Sequence, residues 1–502
     1  MKWLALAATR DRIFWGVFGG VLLIKMLIAA LLPFTGDEAY FIVYARNVDW
    51  GGFYDHPPMV GWLIWLMERI SSHPLVIRLP AIAAGFILAL GTYGLLRGID
   101  EQRARLISLL LLLSPVYLVA VLITSDTGLI IFGFLSGLAY YRGVTSGRPE
   151  FFLLSGVLLG LSFLSKYFAV LIGIAYGVHF LLMARHQWRG FALLVLGVLP
   201  FIVWNIAWNY LNCWDHVMFN VFNRHGGGDV SLGTVGLYLL TLVYLLALPL
   251  WYLLRQRRAV LAELQERRLE VFLFLAGVPL LIWLLLSPMV RIGVHWLLLF
   301  IPFIYVAYVG LSHVALERSV RFMGWFGLIH VVLVGVLLAL PMDLFKGRSS
   351  HFDAVFHMQP AAVAEALARF DADFYATNSY SRSAILSYYT GHYWSVYGGG
   401  GRHARLDDSI TDWRALDGGR MVFVRNRPRI DPIGDDLEGY FDAVEVEQVT
   451  VQGVTFDVAV ADGFDYASYR DEVLHRARER YYNFPRWLPV GGCTFTERYF
   501  EP

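Results

Sequence analysis

The chain has 502 residues, of which 57% are hydrophobic and only 16% charged, with a net charge of +1. Soluble domains run nearer a quarter charged. This balance therefore excludes one large soluble core and argues for many membrane spans, in line with a mean hydropathy of +0.54, and the near-neutral charge excludes a bulk electrostatic case for nucleic acid.

In chain order, apolar runs long enough to cross about 30 Å of hydrocarbon fall at 12–32, 75–96, 105–123, 127–142, 151–165, 167–184, 190–209, 232–254, 270–287, 294–314 and 322–341. They predict a polytopic α-helical membrane protein with about 11 transmembrane helices. The first run has no small-residue cleavage site after it, so it reads as a span and not a signal peptide. Basic residues set the orientation. With a cytoplasmic N-terminus, the inside loops hold 17 Lys and Arg, from Lys2, Arg10 and Arg12 to Arg318 and Arg321. The opposite loops hold a few, chiefly Arg46, Arg69, Arg224 and Arg291. The 16 Trp and 27 Tyr suit a protein with two membrane–water interfaces to anchor. Cys213 and Cys493 show no metal-ligand spacing, and a count of two excludes a disulfide framework.

Three outer segments follow, at about 33–74, about 210–231 and beyond about 342. The last is richer in Asp, Gly and Arg. Residues 421–424 and 451–460 read as strands, and 361–370 and 469–482 as amphipathic helices. The expected division is a membrane domain over 1–341 and an extracytoplasmic α/β domain over 342–502. The glycine run at 398–401 is a loop without the strand and helix of a phosphate-binding turn.

The chemistry-bearing residues gather in the outer segments. Thr35-Gly-Asp-Glu-Ala-Tyr places Asp37 and Glu38 at the outer end of the first span, where adjacent carboxylates are costly. Trp50-Gly-Gly-Phe-Tyr-Asp-His-Pro-Pro-Met follows, and Pro57-Pro58 opens a helix with Asp55 and His56 at its N-terminus. There they are positioned for a cation or a phosphate. Trp62, Trp65 and Leu66 at helical spacing suggest a helix lying on the bilayer. A solvated acidic loop that anchors span ends suits these residues equally. Asp126, in Ile123-Thr-Ser-Asp-Thr-Gly, reaches the same face; Ser125 or Asp126 would serve equally as the cap of the next span. Lys166, in Leu164-Ser-Lys-Tyr-Phe, either snorkels or serves the site. Lys25, inside the first span, either snorkels or pairs internally. Arg224, His225 and Arg291 complete an outer cationic set.

Gly36-Asp-Glu-Ala-Tyr, Tyr54-Asp-His-Pro-Pro-Met, Phe163-Leu-Ser-Lys-Tyr, Pro200 with Trp204-Asn205, Asn223-Arg224 and His295-Trp296 occur in order over about residues 10–340. Together they resemble the bacterial branch of the protein O-mannosyltransferase-like family, glycosyltransferase family 39, whose relatives include the aminoarabinose transferases. Asn378-Ser-Tyr-Ser and Leu386-Ser-Tyr-Tyr carry a weaker likeness beyond 345. The resemblance implies a GT-C fold and an inverting transferase that takes a sugar from a polyprenyl-phosphate carrier. The acceptor it implies is a lipid such as lipid A, another glycolipid, a polysaccharide or a protein, and the location a bacterial inner membrane. It carries the catalytic base onto Asp37, with Glu38 assisting, and the second acid onto Asp126. Substrate binding falls to Asp55, His56, Lys166, Tyr167, Arg224, Arg291 and His295. The aminoarabinose branch has Glu-Lys where this chain has Asp55-His56, which points away from that substrate. The only cofactor the resemblance implies is a divalent metal cation, held by Asp55 with His225 as the candidate partner. The rival reading is a membrane transporter or lipid flippase. Lys25 and the Gly- and Pro-broken spans favour it, but the acids cluster at one face and there is no internal repeat.

Overall fold

The computed structural model describes residues 2–223, 230–399, 405–425, 432–485 and 487–501, with side chains from residue 11 onward. The chain forms two compact units. One consists of Met1–Leu31, Ser71–Val203 and Gly227–Leu337, the other of Leu32–Ile70, Trp204–Gly226 and Leu338–Pro502. Residues 342–502 are therefore grouped with two segments from within the expected membrane domain.

The first unit is helical. Every expected span has a helical counterpart, and among the described residues six helices are long and apolar enough to cross a bilayer: Asp11–Leu31, Leu79–Leu96, Ser125–Ser146, Arg185–Leu211, Leu232–Arg255 and His313–Ala339. Shorter apolar helices, among them Pro149–Phe163, Tyr167–Met183 and Val271–Leu286, fill the rest. Leu, Ile and Phe face outward from these helices, Leu285 and Trp325 being 68% and 71% exposed. That is a lipid-facing surface and not a water-facing one. The interior is glued by polar side chains as well as packing. Ser136 bonds Ser155 and Tyr176, and Tyr140 meets His179 Nδ1 at 3.0 Å. Lys25 pairs internally: its ammonium donates to the Tyr117 and Ala120 carbonyls at 2.8 and 2.6 Å. These carbonyls lie at and just beyond the C-terminus of the short helix Pro115–Leu118. A buried cation at a helix C-terminus is stabilised by its free carbonyls.

The second unit is mixed. Its five-stranded sheet comprises β1 (Phe374–Thr377), β2 (Trp394–Val396), β3 (Met421–Val424), β4 (Phe441–Val451) and β5 (Val454–Phe464), in the order β2-β1-β3-β5-β4. β1 runs parallel to β2 and β3, and β5 antiparallel to β3 and β4. The expected strand over 451–460 corresponds to the start of β5, with its first residue at the end of β4 and the hairpin turn between. Gln452 (φ 49°) and Gly453 (φ 75°) occupy left-handed conformations between them and turn the chain. The helix expected over 361–370 is Pro360–Leu367, and the one over 469–482 runs in pieces from Tyr466 to Tyr481. Cys213 and Cys493 form a disulfide across a separation of 280 residues. A count of two excludes a framework of several bridges and leaves room for this single crosslink.

Candidate functional site

In the mixed unit, Thr35 caps helix Gly36–Arg46. Its hydroxyl accepts from the Glu38 amide at 3.4 Å, and Glu38 Oε2 accepts from the Thr35 amide at 3.2 Å. This reciprocal pair is a capping box. Glu38 is fully buried, so its carboxylate closes the helix end. Its neighbour Asp37 is exposed on the same first turn, where the helix dipole attracts anions. Asp37 Oδ1 accepts from the Tyr380 hydroxyl at 3.0 Å. Tyr380 opens helix Tyr380–Thr390, and the two helices meet so closely that a Cβ at Gly36 would stand 2.4 Å from the Ser381 Cβ. Glycine there lets the tyrosine reach the aspartate.

Asp55 lies in a tight loop. Gly52 adopts φ +106°, and a Cβ there would lie 2.4 Å from the His56 carbonyl oxygen, which accepts from the Phe53 amide at 3.2 Å. Asp55 is 2% exposed. Its Oδ1 accepts from Tyr40 at 3.1 Å and Tyr44 at 2.6 Å, and its Oδ2 stands 2.9 Å from His56 Nδ1. That last contact has ion-pair distance but is poorly aligned for a hydrogen bond. The Asp55 carboxylate thus faces into the loop, with two tyrosine hydroxyls and the His56 imidazole around it. The loop is braced from behind by His216, whose Nε2 lies 3.0 Å from the His56 carbonyl and whose Nδ1 lies 3.1 Å from Asn209 Nδ2. With a carbonyl on one side and an amide nitrogen on the other, Nε2 donates and Nδ1 accepts. Burial pushes the His216 imidazole down to about 3, with Asp55 opposing, so it stays neutral in that tautomer. The helix Met59–Glu68 follows, with Trp65 and Leu66 exposed as an interfacial helix requires.

In the helical unit, the cap of Ser125–Ser146 is Thr124, whose hydroxyl accepts from the Asp126 amide. This corrects the choice between Ser125 and Asp126 and leaves the Asp126 side chain free for another partner. That partner is Lys166, whose ammonium lies 2.9 Å from both carboxylate oxygens; each residue is 8% exposed. Lys166 therefore does not snorkel. Its Nζ also sits 5.0 Å from the Phe168 ring. Phe168 packs on Trp296 at 4.9 Å, which joins the Tyr167 turn to the segment carrying Arg291 and His295, both exposed. Arg224 and His225 lie outside the described residues.

Among the described residues no group of three His, Cys, Asp or Glu side chains could hold a metal ion. The inward-facing Asp55 carboxylate is already surrounded, so it does not fit a metal site by itself. Sequence reasoning gave no role to Tyr40, Tyr44 or His216. One signal was present: Tyr40 and Tyr44 stand four apart on the helix that Asp37 opens.

Residues 55–208 match the family described as dolichyl-phosphate-mannose-protein mannosyltransferase. The fold matches ArnT from Cupriavidus metallidurans in the apo state, with a TM-score of 0.62 and 15% identity over 90% of this chain and 98% of that one. The same protein bound to undecaprenyl phosphate matches with a TM-score of 0.63 and 14% identity over the same shares. The oligosaccharyltransferase AglB from Archaeoglobus fulgidus is more distant, with a TM-score of 0.42 and 11% identity over 81% of this chain and 69% of that one. No curated protein matches the sequence. The chain is a membrane protein with the GT-C fold, and its likeness over residues 55–208 is to the dolichyl-phosphate-mannose-protein mannosyltransferase family of membrane glycosyltransferases.

Proposed function

We propose that this protein is an inverting glycosyltransferase that moves a sugar from a polyprenyl-phosphate carrier to an acceptor of the cell envelope, with Asp37 as its base. One observation carries the reading. Of Asp37, Glu38, Asp55 and Asp126, only Asp37 is exposed. Glu38 closes a helix cap, Asp55 is enclosed by Tyr40, Tyr44 and His56, and Asp126 pairs with Lys166. The likeness to a dolichyl-phosphate-mannose family and the fold shared with a protein that binds undecaprenyl phosphate support the donor class.

The chemistry follows from the donor. A glycosyl phosphate leaves as an already stable anion, so the reaction needs no strong general acid. It needs a base for the acceptor hydroxyl and positive charge for the phosphate. Tyr380 fixes Asp37 through Oδ1, leaving Oδ2 to take the proton as the acceptor oxygen attacks the anomeric carbon. The bond from that carbon to the phosphate oxygen breaks on the opposite face, and the configuration inverts. The reading places the N-terminus in the cytoplasm and residues 342–502 in the periplasm of a bacterial inner membrane. Support comes from the loop charge asymmetry and from the Cys213–Cys493 disulfide, which suits an oxidising compartment.

The test is transfer by the purified chain in nanodiscs from a panel of radiolabelled polyprenyl-phosphate sugars, with Asp37→Asn alongside. Label leaving one donor only with the wild-type chain is the expected result. Turnover retained in Asp37→Asn overturns the assignment.

A further inference from the structure

A cavity of about 400 Å³ opens in the mixed unit beside edge strand β2. Its aromatic lining follows from the sheet. Tyr375 and Trp394 are register partners on neighbouring parallel strands, so their side chains leave the same face, with ring centroids 5.1 Å apart. The exposed His392 ring extends the strip, 5.0 Å from Tyr375. Trp394 Nε1 donates to the Thr390 hydroxyl at 2.9 Å and the Tyr375 hydroxyl to the Phe370 carbonyl at 3.4 Å. The polar ends of both rings are therefore satisfied within the protein; the rings are 9% and 2% exposed and floor the cavity, and the aromatic surface open to an occupant is that of exposed His392 and half-buried Tyr389. Two exposed carboxylates, Glu365 and Asp371, line it as well, and no lysine or arginine is among the described lining residues.

The lining selects its occupant. Carboxylates without a cation repel a phosphate or any anionic headgroup. A hydrocarbon chain would bury those same carboxylates unpaired. A sugar ring satisfies both halves: its C–H face packs on aromatic surface, and its hydroxyls donate to carboxylates, which only accept. The volume is that of a small-molecule site. Helix Tyr380–Thr390 carries Tyr380, the partner of Asp37, at one end and Thr390 of the cavity at the other. Ten residues of helix separate them by about 15 Å, a reach that a short oligosaccharide covers.

We infer that this cavity binds a neutral or amino-bearing sugar unit of the acceptor, which makes the acceptor a glycan; the inference rests on the transferase reading above. The test uses the full-length chain in nanodiscs and saturation-transfer NMR with maltotriose, chitotriose and de-N-acetylated chitotriose, with glucose 6-phosphate as the anionic control. At least one trisaccharide gives transfer to its ring protons, glucose 6-phosphate gives none, and affinity falls by about tenfold in His392→Ala and in Glu365→Gln/Asp371→Asn, the order of a lost charge-assisted contact. All three positions are exposed, so these variants keep the fold. Absence of trisaccharide binding, or binding that neither variant weakens, overturns the inference. Donor turnover is scored on the same preparation. Turnover without trisaccharide binding sinks the cavity alone, and trisaccharide binding through these residues without turnover from any donor sinks the transferase reading alone.

Discussion

Replacing Lys166 by Met strands the Asp126 carboxylate in the helical unit. The ammonium lies 2.9 Å from both oxygens, and each residue is 8% exposed. At an effective dielectric constant near 20, opposite charges at that distance attract by about 6 kcal/mol, most of which offsets the desolvation of both ions. The net value of the pair is therefore small, yet removing one member costs about 3–5 kcal/mol, because the survivor stays buried without a partner. Loss of the ammonium's contact with Phe168 at 5.0 Å adds about 0.5–1 kcal/mol. Lys166→Met/Asp126→Asn removes both charges and should recover most of the loss, giving a coupling energy of about 2–4 kcal/mol. The assay is equilibrium unfolding of the full-length chain in detergent micelles for the wild type, both single variants and the double variant. A loss below about 1 kcal/mol in Lys166→Met, or a double variant no more stable than that single one, refutes the buried-pair reasoning. Turnover of a stable double variant then separates a structural pair from one that also serves the reaction.

Three further outcomes are expected. Cys213→Ser opens a crosslink across 280 residues and should destabilise the mixed unit by about 2–5 kcal/mol; an unchanged melting temperature and unchanged non-reducing gel mobility count against the bond. Gly52→Ala forces a Cβ to 2.4 Å from the His56 carbonyl at φ +106° and should cost about 2–3 kcal/mol while loosening the Asp55 loop, which limited proteolysis detects; wild-type resistance to cleavage contradicts it. Asp407 accepts from Tyr393 at 2.5 Å, and burial pushes its carboxyl up to about 7. Between about pH 4 and 7 the folded state keeps a proton that the unfolded state has lost, so stability falls as pH rises through that window, by at most about 4 kcal/mol, and is then flat. Asp407→Asn should flatten the decline in melting temperature between pH 4 and 7; an unchanged slope shows that the group does not titrate there.

The sequence by itself determined what the bilayer demands. A span needs a minimum apolar length wherever it lies, so the helices appear close to where the apolar runs predict them. Asp37 and Glu38 stand out in the sequence as adjacent carboxylates at a span end, and the capping box that buries Glu38 forms within four residues of Thr35. The strand over 451–460 was legible from residue 454 onward, and only its start falls on the left-handed turn at Gln452 and Gly453, which local pattern does not mark. Tertiary structure alone decided which carboxylates are engaged and which is offered. Tyr380 meets Asp37 across 343 residues, Lys166 meets Asp126 across 40, and Cys213 meets Cys493 across 280. Local pattern carries no record of such pairs, because a side chain's charge and burial depend on what the fold brings within about 3 Å of it.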